Sequence, residues 1–310
     1  MNSVVEINAE SCGISVSKGF LLVSCASREE KIPLSEIEAL IINARAATIT
    51  NRALARLAEE GVVVVHNGPN SQPVALTLPC AANVYRKQRV ESQIACSLPL
   101  KKNLWRQVVK AKILNQAKVL ELAGKNSLDL QTLVGKVLSG DSGNSEAVAA
   151  RIYWQRLFGA KFRRKPELPG INGHLNYGYA ILRASLCRAI AAAGLIPELG
   201  IHHQNMMNPF CLADDLLEPF RPFCDLMVWN WRLPLNAILQ TKEKQSLAAL
   251  LNLGLIHENT ATRLRHCLTR CVEQLIRSLE TKKPLLIFPE ISAQTLEKMK
   301  TGEPGAKSDS

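Results

Sequence analysis

The spacing of the apolar residues changes near residue 80, and that change limits what this chain can fold into more than any other feature. Upstream, short Val- and Ile-rich runs lie at Val4 to Ile7, Gly13 to Ser17, Phe20 to Ser24, Ile37 to Ile42, Val62 to His66 and Val74 to Leu78, separated by Gly, Ser, Asn and Pro. That is the pattern of strands and turns. One stretch there, Asn51 to Glu60, has helical spacing, with Leu54, Leu57 and Ala58 on one face, Thr50 or Asn51 as cap and Gly61 as stop. Downstream, Lys102 to Ala123, Leu128 to Leu138, Ser145 to Phe158, Leu175 to Ala193 and Ala261 to Leu279 all read as helices. The fold class expected is therefore α+β: a small N-terminal mainly-β domain over 1–80, then a larger all-α domain over 81–300, with Pro79 at the boundary. Residues 301–310, TGEPGAKSDS, cannot bury a core and are expected to form a mobile tail.

A chain of 310 residues has room for two ordinary cores. Its 47% hydrophobic and 21% charged residues exclude disordered and fibrous classes. Lys and Arg total 38 against 27 Asp and Glu, a net charge of +11 that suits a phosphate-bearing partner, although solubility alone also accounts for it. The nine cysteines are scattered and include no C-x-x-C pair, which predicts reduced thiols and a cytoplasmic protein. The opening MNSVVEINAES lacks the basic region of an export signal. Apolar passages such as Ala189 to Pro197 fall short of the roughly 20 residues a membrane span needs. Neither export nor membrane insertion is expected.

Basic residues cluster at Arg86, Lys87 and Arg89, at Lys101, Lys102, Arg106, Lys110 and Lys112, and at Arg163, Arg164 and Lys165. A solvated helix face explains any one of them. The last cluster follows the helix bearing Glu146, and it is the one for which phosphate contact is the favoured reading. No G-x-x-x-x-G-K-[ST], G-x-G-x-x-G or G-x-S-x-G pattern occurs, which removes the signatures of the P-loop, the Rossmann fingerprint and the nucleophile elbow.

Two segments set ionisable groups among small and apolar residues: GDSGNSEAVAARIYW around Glu146, and GIHHQNMMNPFCLADDLLEPFRPFCD from Gly200 to Asp225. Three residues apart, Asp215 and Glu218 share a helix face. Two carboxylates on one face either repel each other or hold a cation. His202 and His203 can return to that face through the loop containing Asn208 and Pro209, and oxygen ligands with one nitrogen suit magnesium or manganese better than zinc. The plain alternative is that these carboxylates only complement helix dipoles.

Four ordered blocks, GNSEAVAARIYW, NGHLNYGYAILRA from Asn172, LGIHH from Leu199 and LADDLLEPFRPFCD from Leu212, resemble the CRISPR-associated integrase family, the metal-dependent subunit of the spacer-acquisition complex, in its type II form. The resemblance implies a β domain used in dimerisation ahead of a helical catalytic domain, and a metal, Mg2+ or Mn2+, held by Glu146, His203 and Glu218. Asp215 is the expected auxiliary carboxylate. The histidine doublet leaves His202 as the alternative to His203, with the spacing to Glu218 favouring His203.

The activity implied is that of a DNA endonuclease and integrase: a homodimer, with a small CRISPR-associated partner subunit, carries a short double-stranded DNA to the CRISPR array. Each 3′-hydroxyl then attacks a phosphodiester of the repeat. Arg163, Arg164 and Lys165 are the candidate DNA contacts. The rival readings are a metal-dependent nuclease without an integration role and a noncatalytic DNA-bending scaffold.

Overall fold

The computed structural model describes residues 3–7, 9–25, 28–68, 73–77, 79 and 85–301. Its first part holds eight strands, β1 (Ser3–Ile7), β2 (Ser11–Ser17), β3 (Phe20–Cys25), β4 (Arg28–Pro33), β5 (Ile37–Ile42), β6 (Ala46–Ile49), β7 (Val63–Asn67) and β8 (Pro73–Thr77), with helix α1 (Asn51–Glu59) between β6 and β7. They form two sheets, ordered β1-β5-β7-β8 and β4-β3-β2-β6. In the first, β1, β5 and β7 run parallel and β8 returns antiparallel. In the second, β2, β3 and β4 form an antiparallel meander and β6 pairs in parallel with β2.

The spacing of apolar residues missed β4 and β6, and both are edges of the second sheet. REEKIP is mostly exposed and AATI only half-buried, so neither carries the apolar alternation of a central strand. The runs IEALII and VVVHN are nearly continuous because their sheet is covered on both faces. Leu40, Ile42 and Val64 face one core with Ile14, Leu21 and Leu57. Ala39, Ile41, Val63 and Val65 face the helices. The expected cap and stop of α1 are both present: Thr50 Oγ1 accepts from Ala53 N, and Gly61 takes φ +71.

The second part contains α2 (Arg86–Ile94), α3 (Leu98–Leu122), α4 (Leu128–Lys136), α5 (Ser145–Phe158), α6 (Ile171–Ala192), α7 (Cys211–Leu217), α8 (Arg221–Asn230), α9 (Thr241–Ala249), α10 (Leu264–Thr281) and α11 (Ala293–Thr301). It is mainly rather than wholly helical. A hairpin of β9 (Gly254–His257) and β10 (Thr260–Arg263) precedes α10, so the helix expected from Ala261 starts at Leu264. Glu258 and Asn259 at the hairpin tip both have positive φ, as a two-residue turn requires. Helix α3 starts earlier than expected, at Leu98, behind a Ser97 cap. Thr301 closes α11, and the remainder of the expected tail, 302–310, lies outside the described residues.

Helix α3 runs through the centre and packs against α4, α5 and α8. Helix α6 lies across β5 and β7 and joins the two parts. At that seam Tyr177 donates to Glu6, Lys244 pairs with Glu6 Oε1 at 3.3 Å, and Arg188 Nε donates to Gly61 O at 3.1 Å.

Candidate active site

Helix α5 opens on a tight turn in which Gly140 has φ 69 and Asn144 φ 53. Asp141 lies across the helix start, accepting from Ser145 N at 2.9 Å and Glu146 N at 3.0 Å. Its carboxylate satisfies N–H groups that the helix leaves unpaired, and Glu146 follows in the first turn.

Glu218 stands where α7 gives way to a single 3-10 turn, Glu218–Phe220, before α8. Pro219 has no N–H to continue the α-helical ladder, so the chain tightens there. The carbonyl of Pro219 accepts from Asn115 Nδ2 of α3 at 3.0 Å. Asn115 also donates to Pro289 O and accepts from Ile291 N, both at 3.0 Å, and so ties α3, the bend and the C-terminal segment together.

One turn earlier on α3, Lys112 reaches both glutamates. Its Nζ is 2.6 Å from Glu146 Oε1 and pairs with Glu218 Oε2. Glu218 Oε1 in turn lies 2.9 Å from Arg221 Nε. Burial alone raises the pKa of the Glu218 carboxyl, but Arg221 and Lys112 outweigh it and hold the group at about 2. Burial works against the Lys112 charge as well, and Glu218 and Glu146 overcome it to leave the pKa above its ordinary value. The sequence places Lys112 in a basic cluster readily explained as a solvated face. The structure corrects this, because the residue is buried.

Asp215 treats the two histidines of the doublet differently. His203 Nδ1 lies 2.5 Å from Asp215 Oδ1, and this hydrogen bond, against the opposing effect of burial, raises the imidazole pKa with help from Glu218 and Glu146. With Nδ1 engaged, Nε2 is the nitrogen left for a ligand. His202 instead stacks on Trp105, ring centroids 4.3 Å apart and 2° from parallel. Asp215 is fully buried and its remaining capacity is taken by backbone: Oδ2 accepts from Ile201 N at 2.6 Å and His202 N at 2.8 Å. The loop lies this close only because residue 200 is glycine, since a Cβ there would fall 2.8 Å from Asp215 Oδ2 and 2.4 Å from His203 O. Beyond His203 the chain borders a cavity of about 610 Å³, lined by Lys101, Asn205 and the exposed Met206 and Met207 among others.

Asp225 is buried behind the bend and accepts from Tyr153 Oη at 2.9 Å and Tyr179 Oη at 2.5 Å. Desolvation outweighs these donors and raises its pKa to about 7. The candidate DNA contacts divide. Arg164 donates to Asn172 Oδ1 at 3.0 Å and Asn176 Oδ1 at 2.8 Å and lies over the Tyr179 ring, whereas Arg163 and Lys165 are exposed. All three follow the far end of α5, about 20 Å along the helix from Glu146 at 1.5 Å per residue.

Among the described residues no three His, Cys, Asp or Glu side chains are grouped as a ready metal cage. The cation between the glutamates is instead the Lys112 ammonium, and it marks a position where oxygen donors converge on positive charge. The two carboxylates that meet there are hard oxygen donors, the kind that suits a divalent ion such as magnesium or manganese. Lys112, Asp141 and Asn115 were not recognised as site residues from the sequence. The available signal was the polar set Lys112, Asn115 and Gln116 on an α3 face otherwise made of Val108, Val109, Ile113 and Ala117.

The class that this arrangement suits, a β domain joined to a helical domain in which two glutamates converge on a cation position, is that of an enzyme using a bound cation to act on phosphodiesters. The family model described as CRISPR associated protein Cas1 matches residues 5–233. A CRISPR-associated endonuclease Cas1 of Neisseria meningitidis serogroup C is 40% identical over 217 residues, covering 69% of this chain and 71% of that protein. One from Pyrobaculum aerophilum is 25% identical, covering 90% and 98%. In fold, the chain resembles a casposase bound to integration product (TM-score 0.77, 19% identity, 96% and 98% covered) and a Cas1 protein from Thermotoga maritima (TM-score 0.74, 16% identity, 93% and 100% covered). The chain belongs to the Cas1 family of CRISPR-associated endonucleases, a family generally dependent on divalent metal. Among the described residues no helix is long and apolar enough to cross a membrane.

Proposed function

We propose that Glu146, His203 Nε2 and Glu218 hold one Mg2+ or Mn2+ ion and that this centre inserts short DNA duplexes into the CRISPR array. The observation that carries the reading is the convergence of Glu146 and Glu218 on a single cation position. When bound, the ion lowers the pKa of an attacking hydroxyl and offsets charge on the nonbridging phosphate oxygens. Asp215 is a positioning residue, since both its oxygens are engaged in orienting His203 and its loop. Asp141 does the same for Glu146 by fixing the start of α5.

In the reaction a 3′-hydroxyl of the incoming duplex forms a new bond to a repeat phosphorus. The repeat's own 3′-oxygen leaves and takes up a proton, so the number of phosphodiesters is unchanged. With water in place of that hydroxyl, the same centre cleaves DNA. Arg163 and Lys165 are the exposed cations we assign to the phosphate backbone.

We further assign the type II form of the family, on the four sequence blocks and the 40% match to the Neisseria protein. The working assembly in this reading is a cytoplasmic homodimer formed through the β domain, joined by a small CRISPR-associated subunit. A fold neighbour is found in a Cas6-RT-Cas1–Cas2 complex, which supports a partner of that kind.

A strand-transfer assay with a labelled duplex and a repeat-bearing plasmid, in Mg2+ or Mn2+, tests the proposal. Joined products are expected. Cleavage without joining would favour a simple nuclease, and tight binding with neither would favour a scaffold.

A further inference from the structure

We propose that Lys112 is the resident counter-ion of the metal site: its ammonium holds Glu146 and Glu218 together until a divalent cation displaces it, and this exchange sets how tightly the cation binds. The proposal rests on the reading of Glu146 and Glu218 as metal ligands.

The geometry leaves little room for both cations. The ammonium is 2.6 Å from Glu146 Oε1 and pairs with Glu218 Oε2, so it occupies the place from which a metal would draw an oxygen from each carboxylate. A divalent ion would sit roughly 2.0–2.2 Å from the same oxygens. Two positive centres sharing those atoms would lie within a few ångströms of each other, where their repulsion in a poorly solvated site is large.

Charge balance points the same way. The glutamates are already matched by Lys112 and by Arg221, whose Nε is 2.9 Å from the other oxygen of Glu218. A divalent ion added to this set leaves an excess of two positive charges, and moving Lys112 out reduces the excess to one. Lys112 is also the member able to move. Its ammonium is carried on a flexible four-carbon stem, while the α3 backbone beside it is fixed by the hydrogen bonds of Asn115 to Pro219, Pro289 and Ile291. Arg221 is half-buried and extends across the Tyr179 ring, 4.7 Å from its centroid, and stays in place.

The readout is Mn2+ binding, followed by the electron paramagnetic resonance of free Mn2+, with full-length wild type, Lys112→Met and Glu146→Gln. Removing the competing charge should tighten Mn2+ binding in Lys112→Met by roughly tenfold or more. Without metal, the variant should melt at a lower temperature than wild type, because two carboxylates then face each other, and Mn2+ should raise its melting temperature by more than it raises that of wild type.

If Glu146→Gln loses Mn2+ while Lys112→Met binds it no tighter than wild type, the counter-ion is refuted and the metal site stands. If Glu146→Gln binds Mn2+ unchanged, the metal site itself is refuted and the counter-ion with it. Should Lys112→Met not fold, Lys112→Gln, neutral and still able to donate one hydrogen bond, is measured with the same expectation. Should neither fold, refolding in Mn2+ is expected to recover the protein, and failure to recover it would overturn the proposal.

Discussion

The imidazole of His203 is held by Asp215, Nδ1 to Oδ1 at 2.5 Å, and this contact separates two adjacent histidines that the sequence leaves as alternatives. His202 stacks instead on Trp105. Asp215 donates nothing of its own. Its value lies in engaging Nδ1 of His203, which leaves Nε2 open, and in holding the Gly200 loop closed beneath it.

His203→Ala should therefore cost more strand-transfer activity than His202→Ala. Asp215→Asn should fall between them, losing roughly 10- to 100-fold as an orienting partner rather than a ligand. Initial rates at saturating Mn2+ give the ranking. A more damaging His202→Ala would assign the ligand to the other imidazole.

The two glutamates should differ in stability although both matter for activity. Glu218 is buried between Lys112 and Arg221, and its removal strips Arg221 of its carboxylate and leaves Lys112 with Glu146 alone, a loss of about 3–5 kcal/mol. Glu146 is more exposed, and Lys112 keeps its second partner without it. Urea denaturation should show Glu218→Ala well below wild type and Glu146→Ala close to it. Equal midpoints for the two variants would mean that the ion pairs at Glu218 contribute no net stability.

How much of this was legible in the sequence depended on how local each signal was. Helix α5 was read with the same bounds it has in the structure, Ser145–Phe158, because its apolar spacing is a local signal. Strands β4 and β6 were not, since edge strands are held by backbone pairing and carry little side-chain pattern. In the site, Glu146, Glu218 and the histidine doublet stood out as ionisable groups in apolar surroundings. Lys112 lies 34 residues from Glu146 along the chain, and only the packing of α3 against α5 and the Glu218 bend distinguishes it from its solvated neighbours.

Asp225 predicts a pH dependence. Folding raises its pKa from 3.8 to about 7, so between those values the folded state holds a proton that the unfolded state has released. Stability from this group is complete below about pH 4 and is lost as pH rises to about 7, a change on the order of a few kcal/mol. Asp225→Asn should remove that slope. Denaturant midpoints of both proteins from pH 4 to pH 8 provide the check, and parallel curves would show that Asp225 titrates normally.

The basic residues after α5 give the last prediction. Arg163 and Lys165 are exposed, whereas Arg164 is committed to Asn172 and Asn176 and to the Tyr179 ring. If the exposed pair meets phosphates, replacing both with alanine should weaken binding to unrelated duplexes alike, because phosphate contacts carry no base information. The slope of log affinity against log salt should then shrink by about 2 units, at roughly 0.9 per lost contact. Arg164→Ala should leave that slope unchanged and lower the melting temperature instead, since buried Asn172 Oδ1 then keeps only the Lys165 N–H of its two donors. Duplex affinity would be measured across a salt series with Glu146→Ala in every variant, so that turnover does not consume the DNA. A slope unmoved by the double variant would make the pair an ordinary solvated face and shift the DNA path to the exposed cations between Arg86 and Lys110.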